Sequence, residues 1–432
     1  MLVSVGYMDP GNWASDLEGG SRFGYTLLWV LAVSNGIAIV LQHLASRLGI
    51  VTGLDLAQAC RMFYPRRVVL ALWVLCQLAI VACDLAEVIG SAVALNLLFH
   101  IPLVWGAAIT VCDVFMILLL QHGGIRRLEA IVIVLVGTIA ACLAGELWLT
   151  QPAWPELVRA LRPTLDASQL YVAVAILGAT VMPHNLYLHS ALVKTRHVAS
   201  NDVARRAAVR TSLLNTIVAL NLAFCVNAAI LIVAADVFHA NAITVTDLGQ
   251  AYHLLTPLLG LTAGSLLFAI ALLAAGQSAT ITGTLAGQVV MLGFLKLEAR
   301  PLLVRLATRL AAVLPAVVVI AVTGSEGTVS LLLATQVVLS MQLPFAIVPL
   351  VRMTSSASIM GRAVNGRLLR WTGIAIGWLI TLLNAWLLAS TASEHAWGFT
   401  LLAALVLGCV FLGYIAFAPL RTQEPLARRG PA

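Results

Sequence analysis

The chain has 432 residues, of which 61% are apolar and only 10% are Asp, Glu, Lys or Arg, and its mean hydropathy is +0.99. A soluble domain carries about 25% charged residues, so this composition excludes a soluble fold. The net charge of +7 does not indicate a nucleic-acid partner, because the basic residues lie between apolar segments, as orientation signals do.

Uncharged segments long enough to cross a bilayer recur along the chain. A membrane-spanning helix needs about 20 consecutive apolar residues. The windows without Asp, Glu, Lys or Arg include 23–46, 88–112, 167–193, 211–235, 327–351, 371–393 and 395–420, and the stretch 248–295 is uncharged for longer than one span requires. They do not alternate as the strands of a transmembrane β-barrel would. The sequence therefore predicts an all-α polytopic membrane protein.

Charged or Pro/Gly-rich breaks divide the chain into about twelve transmembrane helices. Their predicted extents are 1–20, 24–48, 68–98, 103–120, 128–149, 169–195, 206–235, 258–292, 303–323, 328–351, 370–391 and 397–418. Pro257 is expected to end a loop segment before the eighth helix. Only eight residues precede Asp9, so the first half of helix 1 is expected to be short, through a truncation or a misassigned start site. Residues 1–432 are interpreted as a single transmembrane domain.

Two of the predicted helices contain a proline at the middle, in the segments 9–12 (DPGN) and 182–185 (MPHN). Proline removes a backbone donor and frees carbonyls that must find other partners. The breaks fall in helices 1 and 6, which correspond if 1–150 and 169–351 are two five-helix repeats and 370–418 adds two further helices. Five helices per half make the repeats inverted. Broken helices at matching positions are typical of a midplane binding site in a secondary transporter.

The basic residues predict the orientation. If the N-terminus is cytoplasmic, all but four of the 25 Lys and Arg residues fall in cytoplasmic connections. Arg22, Arg159 and Arg162 fall outside, and Arg309 lies near or within a span. The seven cysteines show no paired spacing and are interpreted as small core residues.

The two breaks carry side chains suited to a cation. Asp9 is an intramembrane carboxylate, which is costly unless it is paired, hydrated or bound to a cation. With an Asn12 oxygen, a freed carbonyl near Ala179 and the Met182 thioether, it gives three oxygen ligands and one sulfur. Sulfur favours Fe²⁺, Co²⁺, Cd²⁺ and, less strongly, Mn²⁺ over Mg²⁺ and Ca²⁺. Taken alone, Met182 is also consistent with packing, and Asn12 with a helix cap or an interhelical hydrogen bond.

Five segments carry a resemblance to a known family. They are 6–13 (GYMDPGNW), 16–20 (DLEGG), 84–87 (DLAE), 178–190 (GATVMPHNLYLHS) and 336–345 (QVVLSMQLPF). These segments resemble the Nramp family of proton-coupled divalent metal transporters, bacterial MntH proteins included. The resemblance implies a LeuT-like fold with a 5+5 inverted repeat, with metal bound by Asp9, Asn12, Met182 and the Ala179 carbonyl and with Gln342 joining in some states. It also implies alternating access by tilting of the broken helices, with import toward the cytoplasm.

Proton coupling requires titratable groups in the membrane. Asp84 and Glu87 are three residues apart, hence on one helix face, and Arg309 is a candidate counter-charge for them. The remaining candidates are His184, His189 and Asp9, which can exchange a proton for metal. A structural ion-pair network is the alternative for Asp84, Glu87 and Arg309, and an interhelical hydrogen bond for His189. Asp113 receives no role.

The sequence therefore predicts a proton-coupled symporter that imports Mn²⁺ or Fe²⁺, and also Cd²⁺ or Co²⁺, through the inner (cytoplasmic) membrane of a bacterium, with both termini cytoplasmic. No permanently bound cofactor, enzymatic activity or nucleic-acid partner is expected, and no oligomer is required. One alternative is an ion-coupled amino acid symporter of the same fold, although Asp9 would repel a substrate carboxylate. Another is a metal-binding sensor or scaffold without transport.

Overall fold

The computed structural model describes residues 6–113, 125–195, 202–259, 262–296, 301–323, 328–394 and 398–420, and the regular secondary structure of these ranges is helical throughout. The helices of the first half are α1 (Pro10–Phe23), α2 (Leu28–Thr52), α3 (Leu56–Phe63), α4 (Arg66–Phe99), α5 (Leu103–Ile109), α6 (Ile125–Thr150) and α7 (Trp154–Ala160). Those that follow are α8 (Leu170–Thr180), α9 (Pro183–Leu192), α10 (Asp202–Val237), α11 (Leu248–Leu259), α12 (Thr262–Leu295), α13 (Pro301–Thr323), α14 (Thr328–Thr354), α15 (Ala357–Met360), α16 (Arg367–Glu394) and α17 (Gly398–Phe417).

Within these ranges, nine helical stretches are long and apolar enough to cross a membrane. One of them, Pro10–Thr52, contains residues 10–20 of the first predicted helix and all of the second, and the shorter apolar helices Leu103–Cys112 and Leu306–Val322 fall at the fourth and ninth. The all-helical membrane fold is thereby confirmed. The count of twelve stays a prediction, as does the division into repeats at 1–150 and 169–351. Residues 1–5 and 114–120 of the first and fourth predicted helices lie outside the described residues.

Both helix breaks occur where proline predicts them. Helix α1 begins at Pro10, and the sixth predicted helix is divided into α8 and α9 before Pro183. One expectation is wrong: Pro257 lies inside helix α11, which continues to Leu259. Proline removes one intrahelical hydrogen bond, but its own φ is compatible with a helix. The helix therefore passes through Pro257 and ends two residues later.

The last two long helices lie at the periphery of the bundle. The spanning window of α17 is only 6% buried, whereas that of the broken sixth helix is 94% buried. Helix α16 packs against α14 through a hydrogen bond from Asn384 Nδ2 to the Ser340 carbonyl at 2.9 Å. The broken helices therefore occupy the centre of the bundle, where a carboxylate is shielded from lipid and water.

Candidate metal-binding site

Asp9 lies immediately before α1 and caps its N-terminus. Its Oδ1 accepts a hydrogen bond from the backbone N–H of Asn12 at 2.9 Å. This cap is favourable because the first N–H groups of a helix have no partner within the helix. The other carboxylate oxygen, Oδ2, is buried and has no hydrogen-bond partner among the described residues. One oxygen thus orients the side chain, and the other is available to a cation.

The Asn12 amide is oriented by the unwound segment that precedes α1. Its Nδ2 donates to the Tyr7 carbonyl at 2.8 Å, and Asn227 Nδ2 of α10 donates to the same carbonyl at 2.9 Å. Asn12 Oδ1 is left buried without a partner in the described part of the chain. The Asn12 side chain thus presents an amide oxygen beside the Asp9 carboxylate.

The second break supplies a backbone oxygen. In an unbroken helix the Ala179 carbonyl would accept a hydrogen bond from residue 183. That residue is Pro183, which has no N–H, so the Ala179 carbonyl is freed. Helix α8 ends at Thr180, one residue later, and the C-terminal end of a helix carries a partial negative charge. Both features favour a cation at this break.

Helix α14 packs against both breaks through Gln336. A Cβ on Gly11 would lie 1.8 Å from Gln336 Nε2, and a Cβ on Gly178 would lie 2.0 Å from the Gln336 carbonyl oxygen. Glycine is therefore required at both positions for this close approach. The breaks also contact each other, because a Cβ on Gly6 would lie 2.2 Å from Asn185 Nδ2. Two segments that are about 170 residues apart in sequence are thus in contact.

Met182 lies between the two halves of the broken sixth helix. It is fully buried and packs with Ala79, Cys83 and Leu339 in a small cluster that is separate from the main apolar core. Asp9 lies close enough to Cys83 to interact with it electrostatically. Cys83 of α4 thus packs with Met182 and interacts electrostatically with Asp9.

The four candidate ligands would give a donor set of mixed character. Asp9, Asn12 and the Ala179 carbonyl offer oxygen, and Met182 offers sulfur, a combination suited to a borderline or soft divalent metal. In the described ranges, no group of three or more His, Cys, Asp and Glu side chains is arranged to hold a metal ion.

Helix α14 carries two glutamines that are candidates for the fifth metal ligand. Gln342, the predicted fifth ligand, is buried, and neither of its amide atoms has a hydrogen-bond partner among the described residues. It lies six positions after Gln336, which places the two side chains on different faces of the helix. Gln336 Oε1 is likewise buried without a partner in the described ranges. Gln342 stays a predicted ligand, and the contacts at both breaks add Gln336 as a candidate.

The predicted acidic pair lies on α4, facing α12 and α13. A Cβ on Gly283 would lie 2.8 Å from Glu87 Oε1 and 3.2 Å from Asp84 Oδ1, so the two carboxylates converge on that glycine. Arg309 Nη1 lies 3.3 Å from Glu87 Oε2. Arg309 Nη2 lies 3.4 Å from Asp113 Oδ2, so one guanidinium bridges two carboxylates. Asp113, to which the sequence assigned no role, is thus a member of this network.

Cys83 joins His184 to the acidic pair. The Cys83 Sγ lies 3.7 Å from His184 Nε2 and also 3.7 Å from Glu87 Oε1. Because Cys83 also packs on Met182, it links the candidate metal ligands with the network of Glu87. Its interpretation as a small core residue is therefore incomplete.

His189 belongs to a different group of hydrogen-bonded side chains, which includes Gln42 and Tyr7. Its Nδ1 lies 2.8 Å from Gln42 Oε1, and Gln42 Nε2 donates to the Tyr7 hydroxyl. The Tyr7 carbonyl in turn accepts from Asn12, so His189 is connected to the first break. The predicted proton-pathway residues therefore fall into two groups of connected side chains. Asp84, Glu87, Arg309 and His184 form one group. His189 forms the other with Gln42, which was not predicted, and Asp9 lies between the two groups.

Comparison with known proteins identifies the family. The profile of the Nramp family, described as natural resistance-associated macrophage protein-like, matches residues 1–390. The chain belongs to the Nramp family. A protein named divalent metal cation transporter MntH from Xylella fastidiosa is 52% identical over 396 residues, which is 90% of this chain and 84% of that protein. A protein of the same name from a Nostoc species is 50% identical over 93% of this chain and 91% of its own length.

Solved structures agree with the membership in the Nramp family. The crystal structure of an Eremococcus coleocola manganese transporter, in complex with an aromatic bis-isothiourea substituted compound, is 39% identical, with a TM-score of 0.86 over 96% of this chain and 91% of that chain. Mhp1, a nucleobase-cation-symport-1 family transporter, is 16% identical, with a TM-score of 0.60 over 99% of this chain and 94% of that chain. The similarity to Mhp1 concerns the fold alone, and it confirms the predicted LeuT-like architecture.

Proposed function

We propose that this Nramp protein transports divalent transition-metal cations across a membrane, coupled to protons, by alternating access. The observation that carries the proposal is that the two helix breaks are in contact. At the first break, Asp9 Oδ2 and Asn12 Oδ1 are buried and have no hydrogen-bond partner among the described residues. At the second break, Met182 is buried. The names of the relatives in Xylella and Nostoc, and that of the manganese transporter of Eremococcus, support this class of substrate.

Mn²⁺ or Fe²⁺ is the proposed substrate, with Co²⁺ and Cd²⁺ also accepted. Asp9, Asn12, the Ala179 carbonyl and Met182 replace part of the hydration shell of the ion, and Gln336 or Gln342 of α14 completes the shell. The single carboxylate partly neutralises the ion, and the C-terminal end of α8 adds a favourable dipole. The thioether discriminates against Ca²⁺ and Mg²⁺, because these hard cations gain little from sulfur.

The proposed proton pathway begins at Asp9 and continues through Glu87. Both carboxylates are close enough to interact electrostatically, so a divalent cation at Asp9 affects the protonation of its neighbour. Arg309 holds Glu87 and Asp113 together, and His184 reaches the pair through Cys83. Metal and proton sites that share these side chains have coupled occupancies.

Alternating access requires that the site open to one side at a time. Asp9, Ala179 and Met182 are all buried, which is the arrangement of an occluded state. On the side of α9 remote from the break, Lys194 Nζ lies 2.7 Å from Asp55 Oδ2, at the N-terminus of α3. We propose that tilting of the helices around the breaks opens the site and that release of this ion pair accompanies opening on that side.

The chain is proposed to lie in the inner (cytoplasmic) membrane of a bacterium with both termini in the cytoplasm and to import its substrate. The distribution of Lys and Arg supports this orientation. The membrane potential, negative inside, would also favour entry of a divalent cation.

Proteoliposomes test the proposal. Purified protein is expected to take up Mn²⁺ faster under an inward proton gradient, and the internal pH, recorded with a trapped dye, is expected to fall in parallel. Asp9→Asn removes the carboxylate charge and is expected to abolish uptake, whereas Asp202→Asn, at an exposed position on α10, is the matched control. Metal binding by calorimetry without any flux would instead identify a sensor or scaffold, and the absence of both would overturn the proposal.

A further inference from the structure

Glu146 is a buried carboxylic acid that the proposed metal site and proton pathway do not use. It lies in helix α6, four residues before its end at Thr150, and is 1% exposed. Among the described residues, its Oε1 has no hydrogen-bond partner and no ion pair includes it. An ionised carboxylate in such surroundings is costly, so this acid requires an explanation.

Glu146 lines a small cavity that is also lined by α1, the helix that follows the first break. Trp13 and Leu17, four residues apart and therefore on one face of α1, form one wall of this cavity. Trp13 directly follows Asn12, and its indole Nε1 is also buried without a partner in the described ranges. The cavity thus joins Glu146 to the helix that presents Asp9 and Asn12.

The walls of this cavity exclude a metal ion as the occupant. The residues that face Glu146 from α1, α10, α11 and α12 are Trp13, Leu17, Ile230, Val233, Leu255 and Phe268. None of these side chains titrates, carries a charge or contains an oxygen, and the titratable neighbour on α6 itself is Cys142, one turn earlier. A hard cation needs several oxygen ligands, whereas Glu146 offers only its own carboxyl group. A proton is the cation that this carboxyl can bind without further ligands.

We propose that Glu146 is a proton-binding site of the transport cycle, distinct from the network of Asp84, Glu87 and Arg309. This inference rests on the proposed proton-coupled transport. When α1 is packed as in the present structure, Glu146 is a neutral acid in an apolar cavity. When α1 tilts, water reaches the cavity and the acid releases its proton to that water, leaving a carboxylate. The return of α1 requires a proton from water on the same side.

The position of Glu146 defines that side. Trp148 and Trp154, which flank the end of α6, are 82% and 68% exposed, as expected for side chains at a membrane interface. Arg126 and Arg127 lie at the opposite end of the same helix. In the proposed orientation, Glu146 therefore exchanges its proton with the extracellular side.

The test compares Glu146→Gln with Glu129→Gln, a substitution of the same kind on α6 outside the cavity. Glu146→Gln is isosteric and permanently neutral, so Mn²⁺ transport is expected to persist with a flattened dependence on external pH. Glu129→Gln is expected to retain the wild-type pH profile. A wild-type dependence on external pH in Glu146→Gln would overturn the inference while leaving the proposed function intact.

A spectroscopic measurement keeps the inference testable if transport is lost. Infrared difference spectra of purified protein, recorded between low and neutral pH, are expected to contain a protonated-carboxyl C=O band that Glu146→Gln lacks and Glu146→Asp shifts. If the band is identical in wild type and Glu146→Gln, Glu146 does not exchange a proton. If the wild type transports no metal, the proposed function fails, and the infrared result still decides whether this residue binds a proton.

Discussion

The contact between Gly178 and α14 leads to a sharp prediction about the metal site. In Gly178→Ala, the new methyl group would lie 2.0 Å from the Gln336 carbonyl oxygen and 2.9 Å from the Ser340 nitrogen. Ordinary van der Waals contact begins at 3.4 Å. Because both neighbouring atoms belong to the backbone of a helix, side-chain rotation cannot relieve the clash. Helices α8 and α14 must therefore separate by about 1 Å or more.

The separation has two measurable consequences. Overpacking of this kind costs about 1–3 kcal/mol of stability, so the thermal unfolding midpoint in detergent is expected to fall. Ala179, the next residue, carries the carbonyl proposed to bind metal, and loss of a supporting contact typically weakens metal binding by about 10–100-fold. Isothermal titration with Mn²⁺ or Cd²⁺ is therefore expected to give a dissociation constant raised by at least about tenfold.

Gly137→Ala provides the matched control. Gly137 lies in helix α6, and among the described residues no heavy atom outside its own helix backbone and chain neighbours lies within 4 Å of the position of an added Cβ. Alanine is a better helix former than glycine by up to about 1 kcal/mol, so this variant is expected to bind metal normally and to unfold at the same or a higher temperature. If Gly178→Ala binds metal and unfolds like the wild type, the close approach of α8 and α14 does not build the site.

Two further predictions concern the ligands and the ion pairs. Met182→Ala is expected to retain Mn²⁺ transport but to lose discrimination against Ca²⁺, measured by competition in proteoliposomes with Met62→Ala as control; an unchanged ratio would remove the thioether from the selectivity mechanism. Arg309→Met leaves Glu87 and Asp113 without their shared counter-charge and is expected to destabilise the protein by about 3–5 kcal/mol, the typical cost of breaking a buried pair. Adding Glu87→Gln to that variant should restore part of the unfolding temperature, and no difference between the single and double variants would refute a stabilising ion pair.

The site was only partly predictable from the sequence. Asp9, Asn12, Ala179 and Met182 could be chosen because proline marks both breaks locally and because an intramembrane carboxylate is costly. Gln336, Cys83 and Gln42 received no functional role, since their importance comes from partners on other helices. Gln336 lay within a segment of family resemblance, and Cys83 precedes Asp84 directly, but neither fact by itself shows which helix the side chain faces.

The sequence by itself determined the helices and their interruptions. Apolar runs and proline act over a few residues, so the predicted extent 128–149 lies within helix Ile125–Thr150, and 370–391 within Arg367–Glu394. Tertiary structure decided how the helices are rotated and which of their faces meet. It placed Gln336 against both breaks, joined Asp113 to Arg309, and left Glu146 facing an apolar cavity behind α1. The physical reason is that hydrophobicity places a helix in the membrane without fixing its neighbours, whereas close packing of small residues and pairing of buried polar groups select them.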